Sequence, residues 1–163
     1  MTPDPAGSVR PVPEHLHTVT PRLVVRDGAA AIEFYRRAFG AVEAGERFST
    51  PSGLVIHAEI RIGDAVVMVT DEADNGAPAR SPRSLNGVVT AIMATYWDDV
   101  DQAWERAVGA GAEVIYPLAD HFYGERGGRL RDPFGQQWML SQRIEALSPD
   151  ELKRRVAKLA APE

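Results

Sequence analysis

The sequence predicts an α+β fold of tandem βαβββ modules that form cupped, mostly antiparallel sheets with helices on their outer face. Three observations carry this. Strand-like and helix-like segments follow the same order twice, equivalent positions recur at a nearly constant offset, and an acidic, proline-containing stretch separates the copies. The offset is 71 residues for Asp27 and Asp98 and for Gly40 and Gly111, and 72 for Gly63 and Gly135.

Residues 1–17 read as a flexible leader, with Pro at 3, 5, 11 and 13 and neither the basic start nor the apolar run of a secretion signal. The row TVTPRLVVR from Thr18 to Arg26 is rich in β-branched residues and reads as a strand. Asp27 suits a helix N-cap. Ala31, Phe34, Tyr35, Ala38 and Phe39 then recur at helical spacing, and Gly40 supplies a stop. Strands are expected at 44–49, 54–62 and 65–70, with turns at Pro51-Ser52-Gly53 and Gly63-Asp64. This completes a first module over 18–70.

Residues 71–86, with few large apolar groups, read as a surface linker. The second module, 87–145, repeats the order. A strand at 87–97 leads to a helix opened by Asp98-Asp99, with Val100, Ala103, Trp104, Ala107 and Val108 on one stripe, closed by Gly109 and Gly111. A strand at 112–117, an aromatic-rich loop at 118–128, a short strand at 129–131, the turn Asp132-Pro133-Phe134-Gly135 and a strand at 136–143 follow. In the tail, 146–163, Ser148-Pro149-Asp150-Glu151 forms a capping box expected to start a helix running to about Ala160.

The composition narrows the function. The 163 residues carry a net charge of −5, which argues against nucleic acid as a partner because displacing counterions needs a dense basic face. No apolar run reaches the roughly 18–20 residues of a bilayer span, so no membrane partner is expected. The absence of cysteine excludes disulfides, thiolate metal sites and a cysteine nucleophile. Cytoplasm is the default expectation for localisation.

The segments LVVRDGAAAIEFYRRAFGA, WDDVDQAWERAVGAGAEV and RLRDPFGQQWML, in that order, resemble the vicinal oxygen chelate superfamily of glyoxalases, bleomycin resistance proteins and extradiol dioxygenases. Within it they are most similar to PhnB-like members. The resemblance spans about residues 18–145. It implies that paired half-cups, often from two chains, enclose a ligand cavity, and hence a homodimer. It also implies four metal-ligand positions, one in the first and one in the last strand of each half. Alignment through Asp27, Asp98 and Asp132-Pro133-x-Gly135 places Pro21, Met68, Ile92 and Met139 there. None is a hard-metal ligand, so neither a metal nor another cofactor is expected. A cavity lined by these residues suits an apolar, planar molecule, since Met adapts to irregular surfaces and contacts rings favourably. An ordinary packed core would explain them as well.

Further candidates complete the site expectation. Tyr96 shares the alternating face of Ile92, while Gln137 and Ser141 share that of Met139 and can orient a ligand. Phe122 and Tyr123 lie in the loop with His121, read either as a pocket rim or as a structural connection in which Arg126 pairs with Asp120 or Glu125. His57 and Glu59, two apart on one strand face, and His121 are the weak catalytic candidates. His15 and His17 form an H-x-H that reads as chance spacing. The sequence thus points to a metal-independent binding protein that sequesters an aromatic or amphipathic metabolite, antibiotic or toxin in a dimeric cleft. The alternative is a lyase, isomerase or dioxygenase of the same superfamily, using a non-standard site around His57, Glu59 or His121.

Overall fold

The computed structural model describes residues 11–159. The first ten residues of the expected leader and the end of the tail lie outside them. Strand β1 (Arg22–Val25) leads to helix α1 (Gly28–Phe39), then to β2 (Val42–Glu43), β3 (Phe48–Ser49), β4 (Val55–Ile62) and β5 (Ala65–Asp71). A 3₁₀ turn, Pro82–Leu85, precedes β6 (Ile92–Tyr96), α2 (Val100–Gly109), β7 (Glu113–Asp120), β8 (Glu125–Arg131), β9 (Gln137–Arg143) and α3 (Pro149–Leu159).

The sheets display the repeat directly. The first runs β1-β5-β4-β2, with β3 also on β4, and the second runs β6-β9-β8-β7. In each, the opening strand pairs parallel with the closing one and the remaining pairs are antiparallel. The fold is therefore α+β, as the alternating segments require.

Local chemistry explains the helix ends. Asp27, at φ 66, accepts from the Ala30 N–H, a left-handed conformation that Asp tolerates better than bulkier residues do. Gly40, at φ 65, donates its N–H to Arg36 O and ends α1. In the second module the N-cap is Asp99, which accepts from Gln102 N–H at 3.0 Å, while Asp98 offers its carbonyl to Gln142. The cap offset is thus 72 rather than 71.

One core unites the modules. Phe34, Tyr35 and Phe39 of α1 meet Phe134 and Trp138 of the second module, with ring centroids as close as 4.6 Å for Phe39 and Trp138. The helices α1 and α2 also pack on each other, so the helix-bearing outer faces of both sheets turn toward the same interior. The opposite face of each sheet looks away from it. On β6, Ile92 and Tyr96 are exposed, whereas Met93 packs against the core.

Four segments depart from expectation. The strand expected at 44–49 is instead two short ones, β2 and β3, each pairing with β4. The loop at 118–128 is largely strand: β7 continues to Asp120, β8 begins at Glu125, and only 121–124 turn. Gly127-Gly128, which reads as loop, is instead a point of close approach, since a Cβ on Gly128 would lie 2.6 Å from the Trp104 ring. Strand β6 is shorter than 87–97 because Asn86 and Gly87, both at positive φ, close the 3₁₀ turn, and the chain joins the ladder only at Ile92. The linker is also anchored. Glu72, just past β5, accepts from the Ser81 N–H at 2.8 Å and pairs with Arg80 at 2.7 Å.

The bonds from Ser81, with help from Arg80, pull the Glu72 carboxyl down to about 2. A depressed carboxylate stabilises the fold fully above its ordinary 4.5, and that contribution is lost as pH falls toward about 2. Glu72→Gln is expected to lose less stability than the wild type across that window. Urea midpoints measured through the window test this, and parallel curves for the two proteins would refute it.

Candidate functional site

The open face of the second sheet is organised in rows set by strand register. Ile92, Gln137 and Arg131 form one row. Ala94, Met139, Arg129 and Tyr116 form the next, and Tyr96, Ser141 and Gly127 the third. Cross-strand partners share a face, so these side chains converge without any loop to gather them. Over the second and third rows lies a cavity of about 190 Å³, lined by Tyr116, His121, Tyr123, Gly127, Gly128, Arg129, Met139 and Ser141.

Each wall has a structural cause. Gly127 leaves the floor open, because a Cβ there would press on Ser141 Oγ and Leu140 O at 3.0 Å. His121 and Tyr123 stack in parallel, 5.0 Å apart, and His121 Nε2 bonds the Gly127 carbonyl at 3.0 Å. Across the site the Arg129 guanidinium lies over the Tyr116 ring, 5.2 Å from its centroid. At the edge Tyr96 donates to Glu125 Oε1 at 3.1 Å, and this bond to a carboxylate raises the phenol above its usual range.

Outer elements brace the turn that carries His121 and Tyr123. Arg126 forms two bonds to Asp101 of α2 and a further one to Asp120, tying the hairpin to the helix. These charge-assisted bonds hold the Asp101 carboxyl below its ordinary value. Arg155 of α3 donates to Phe122 O and pairs with Glu145, while Gly124 packs against Glu145 and Leu147 too closely for a side chain. The terminal helix buries none of its own residues, yet it holds the rim of the cavity.

The expected site residues divide between places. Met139, Tyr123 and His121 line the cavity, Tyr96 is beside Ser141, and Gln137 and Ile92 extend the same face. Phe122 stands outside, edge-on to Tyr123 at 5.2 Å. Met68 is on the first sheet, opposite Arg22 and Glu59. Pro21 is not its equivalent partner: it precedes β1, gives its carbonyl to the Met68 N–H, and borders a separate groove with Met93 and Gln136. The 71-residue offset misassigns it because β1 turns Leu23 and Val25 toward the core, whereas β6 turns Ala94 and Tyr96 outward.

His57 and Glu59 share the open face of the first sheet with Met68. Glu59 receives His57 at 3.3 Å on one oxygen and His15 at 2.7 Å on the other, so His15 is no chance neighbour. Among the described residues no three His, Asp or Glu side chains are grouped to hold a metal. The family positions also do not fit one: Met139 offers a thioether beside the Arg129 cation, and Met68 is flanked by Arg22. Sequence reasoning missed Tyr116 and Arg129. Both fall in segments that read as strands, but only the register across β7, β8 and β9 puts them in the row of Met139.

A protein of Mycobacterium tuberculosis is 42% identical over 137 residues, covering 83% of this chain and 79% of that protein. The crystal structure of TioX from Micromonospora sp. ML1 superposes with a TM-score of 0.61 at 24% identity, covering 77% of this chain and 97% of that one. A PhnB protein from Bacillus cereus superposes with a TM-score of 0.56 at 19% identity, over 77% of this chain and 99% of that one. At these identities the two structures speak for the fold. The model of the Glyoxalase/Bleomycin resistance protein/Dioxygenase superfamily matches residues 15–140, and the chain belongs to that superfamily.

Proposed function

We propose that this chain is a metal-independent binding protein that sequesters an aromatic or amphipathic metabolite, antibiotic or toxin in a cleft completed by a second copy. The observation that carries this is a half-built pocket. Its walls are rings and a thioether, but its roughly 190 Å³ falls short of the ~300–1,000 Å³ of ordinary ligand sites. The uncovered face around it, with Tyr116 59% and Tyr96 63% exposed, supports a partner supplying the remainder. In such a homodimer the open face of a first sheet, bearing Met68, His57 and Glu59, would oppose this one. Among the described residues no helix is long and apolar enough to cross a membrane.

Light scattering during size exclusion should give twice the 17.8 kDa chain mass. Elemental analysis should find no stoichiometric divalent metal. One tightly held metal per chain, lost on His57→Ala or Glu59→Ala, would overturn the reading. Met139→Trp should fill the cavity floor and weaken binding of an apolar aromatic probe by at least about tenfold, or ~1.4 kcal/mol. Calorimetric titration checks this, and undiminished binding would place the ligand elsewhere.

A second reading has one observation in its favour: His121 lines the cavity and has one ring nitrogen engaged by Gly127 O, which orients the other. That arrangement suits acid–base chemistry in a lyase or isomerase. Turnover of hemithioacetals or catechols above background, abolished by His121→Ala, would establish it.

A further inference from the structure

We propose that the pocket on the second sheet selects planar aromatic carboxylates and that Arg129 is the group that binds the anion. This rests on the reading of that pocket as the ligand site.

Charge pairing sets Arg129 apart from the arginines around it. Arg126 is taken by Asp101 and Asp120, Arg131 by Glu113, and Arg155 by Glu145 and Glu151. The Arg129 side chain makes no ion pair or hydrogen bond with any described residue; its Nε is buried without a partner, as is that of Arg131, but Arg131 has Glu113 for its charge and Arg129 has none. Arg129 lines the cavity as a cation with no anion beside it, and a carboxylate on a bound ligand would supply one.

The guanidinium is also aimed. Its stacking on Tyr116 restrains the plane of the fork, and its backbone is locked opposite Met139 and Tyr116. Acids nearby do not compete for it, because Glu113 is held by Arg131 and Glu125 accepts from Tyr96. An ionised carboxylate matches the fork through two parallel N–H···O bonds. One cation balances one such charge, whereas a phosphate dianion would lack a second. The rest of the pocket favours a flat ring, with the Met139 thioether beneath and the Tyr123 ring at the wall.

The test uses matched probes on the purified full chain: 2-naphthoate, 2-naphthamide and 2-naphthyl phosphate, titrated calorimetrically against wild type, Arg129→Gln and Arg129→Lys. Wild type should bind the naphthoate at least about tenfold tighter than the amide, and added salt should weaken the acid alone. Arg129→Gln should abolish that preference while leaving amide affinity within about threefold, and Arg129→Lys should restore part of it. Far-UV circular dichroism and thermal midpoints check that the variants fold.

Equal binding of acid and amide by wild type would overturn anion selection while leaving the pocket reading intact. Loss of both probes in a folded Arg129→Gln would make Arg129 a shaping residue and overturn the proposal. Tighter binding of the phosphate than of the naphthoate would refute the carboxylate class. Failure of every probe to bind wild type would overturn this proposal and the ligand-holding reading together.

Discussion

Replacing Asp132 by alanine is expected to destabilise the chain by about 3–5 kcal/mol, the loss typical of stripping one partner from a buried charged network. Asp132 is 3% exposed and accepts four bonds. Its Oδ2 receives the Tyr35 hydroxyl at 2.8 Å and the Trp138 indole N–H at 2.9 Å, and its Oδ1 receives the Phe134 and Gln136 N–H groups at 2.9 Å. Tyr35 comes from the first module and Trp138 from the second, so the carboxylate joins the two halves at the centre of the core. Alanine leaves all four donors without an acceptor. Tyr35→Phe removes a single donor and should cost about 1.5–3 kcal/mol. Urea unfolding measures both, and a cost below about 1 kcal/mol for Asp132→Ala would show that the network contributes little.

The same residue makes a pH prediction of opposite sign to that of Glu72. Burial raises the Asp132 carboxyl above its ordinary 3.8, although its four donors pull it back in part. A raised carboxyl favours the fold fully below 3.8, and that contribution is lost as pH rises through the folded value. Asp132→Asn keeps an acceptor for Phe134 and Gln136 but turns an NH₂ toward Trp138. It does not titrate. The stability gap between wild type and Asp132→Asn should therefore be widest in acid and narrow as pH rises. A gap independent of pH would contradict the raised value.

Gly128→Ala is the second large effect, with an expected loss of about 1–3 kcal/mol from overpacking. The new Cβ would meet the Trp104 ring at 2.6 and 2.7 Å and Tyr116 O at 2.9 Å, so either the indole or strand β8 must move. Movement of β8 carries Arg129 with it, and ligand affinity should fall together with stability. Trp104→Leu in the same chain should recover part of the stability by opening space. Thermal unfolding of the single and double variants tests the coupling. Additive losses would mean that the strain is relieved elsewhere.

These sites show how far the residues could be read in advance. Helical spacing from Ala31 to Phe39 and from Val100 to Val108, with acidic caps and glycine stops, marked both helices, because a helix reports its own period. The twofold order of elements predicted two sheets of equal topology. Met139 was recognisable as a site candidate through the family alignment, Tyr96 through alternation, and Tyr123 through the density of chemistry near His121. Asp132 was visible only as part of a turn, since its four donors come from residues 2 to 97 positions away.

The order of the elements, the duplication and the family resemblance were thus determined by the sequence alone, because they depend on local periodicity and on spacing along the chain. Tertiary structure decided which residues the candidate site brings together. It decided that Gly127-Gly128 is strand rather than loop, since only packing reveals that Trp104 and Ser141 leave no room for a Cβ. It placed Pro21 apart from Met68 and set Arg129 beside Met139, because register between distant strands fixes which face each residue takes. It also left Arg129 without an acid while its neighbours found theirs, since ion pairing depends on through-space distances that sequence separation does not encode.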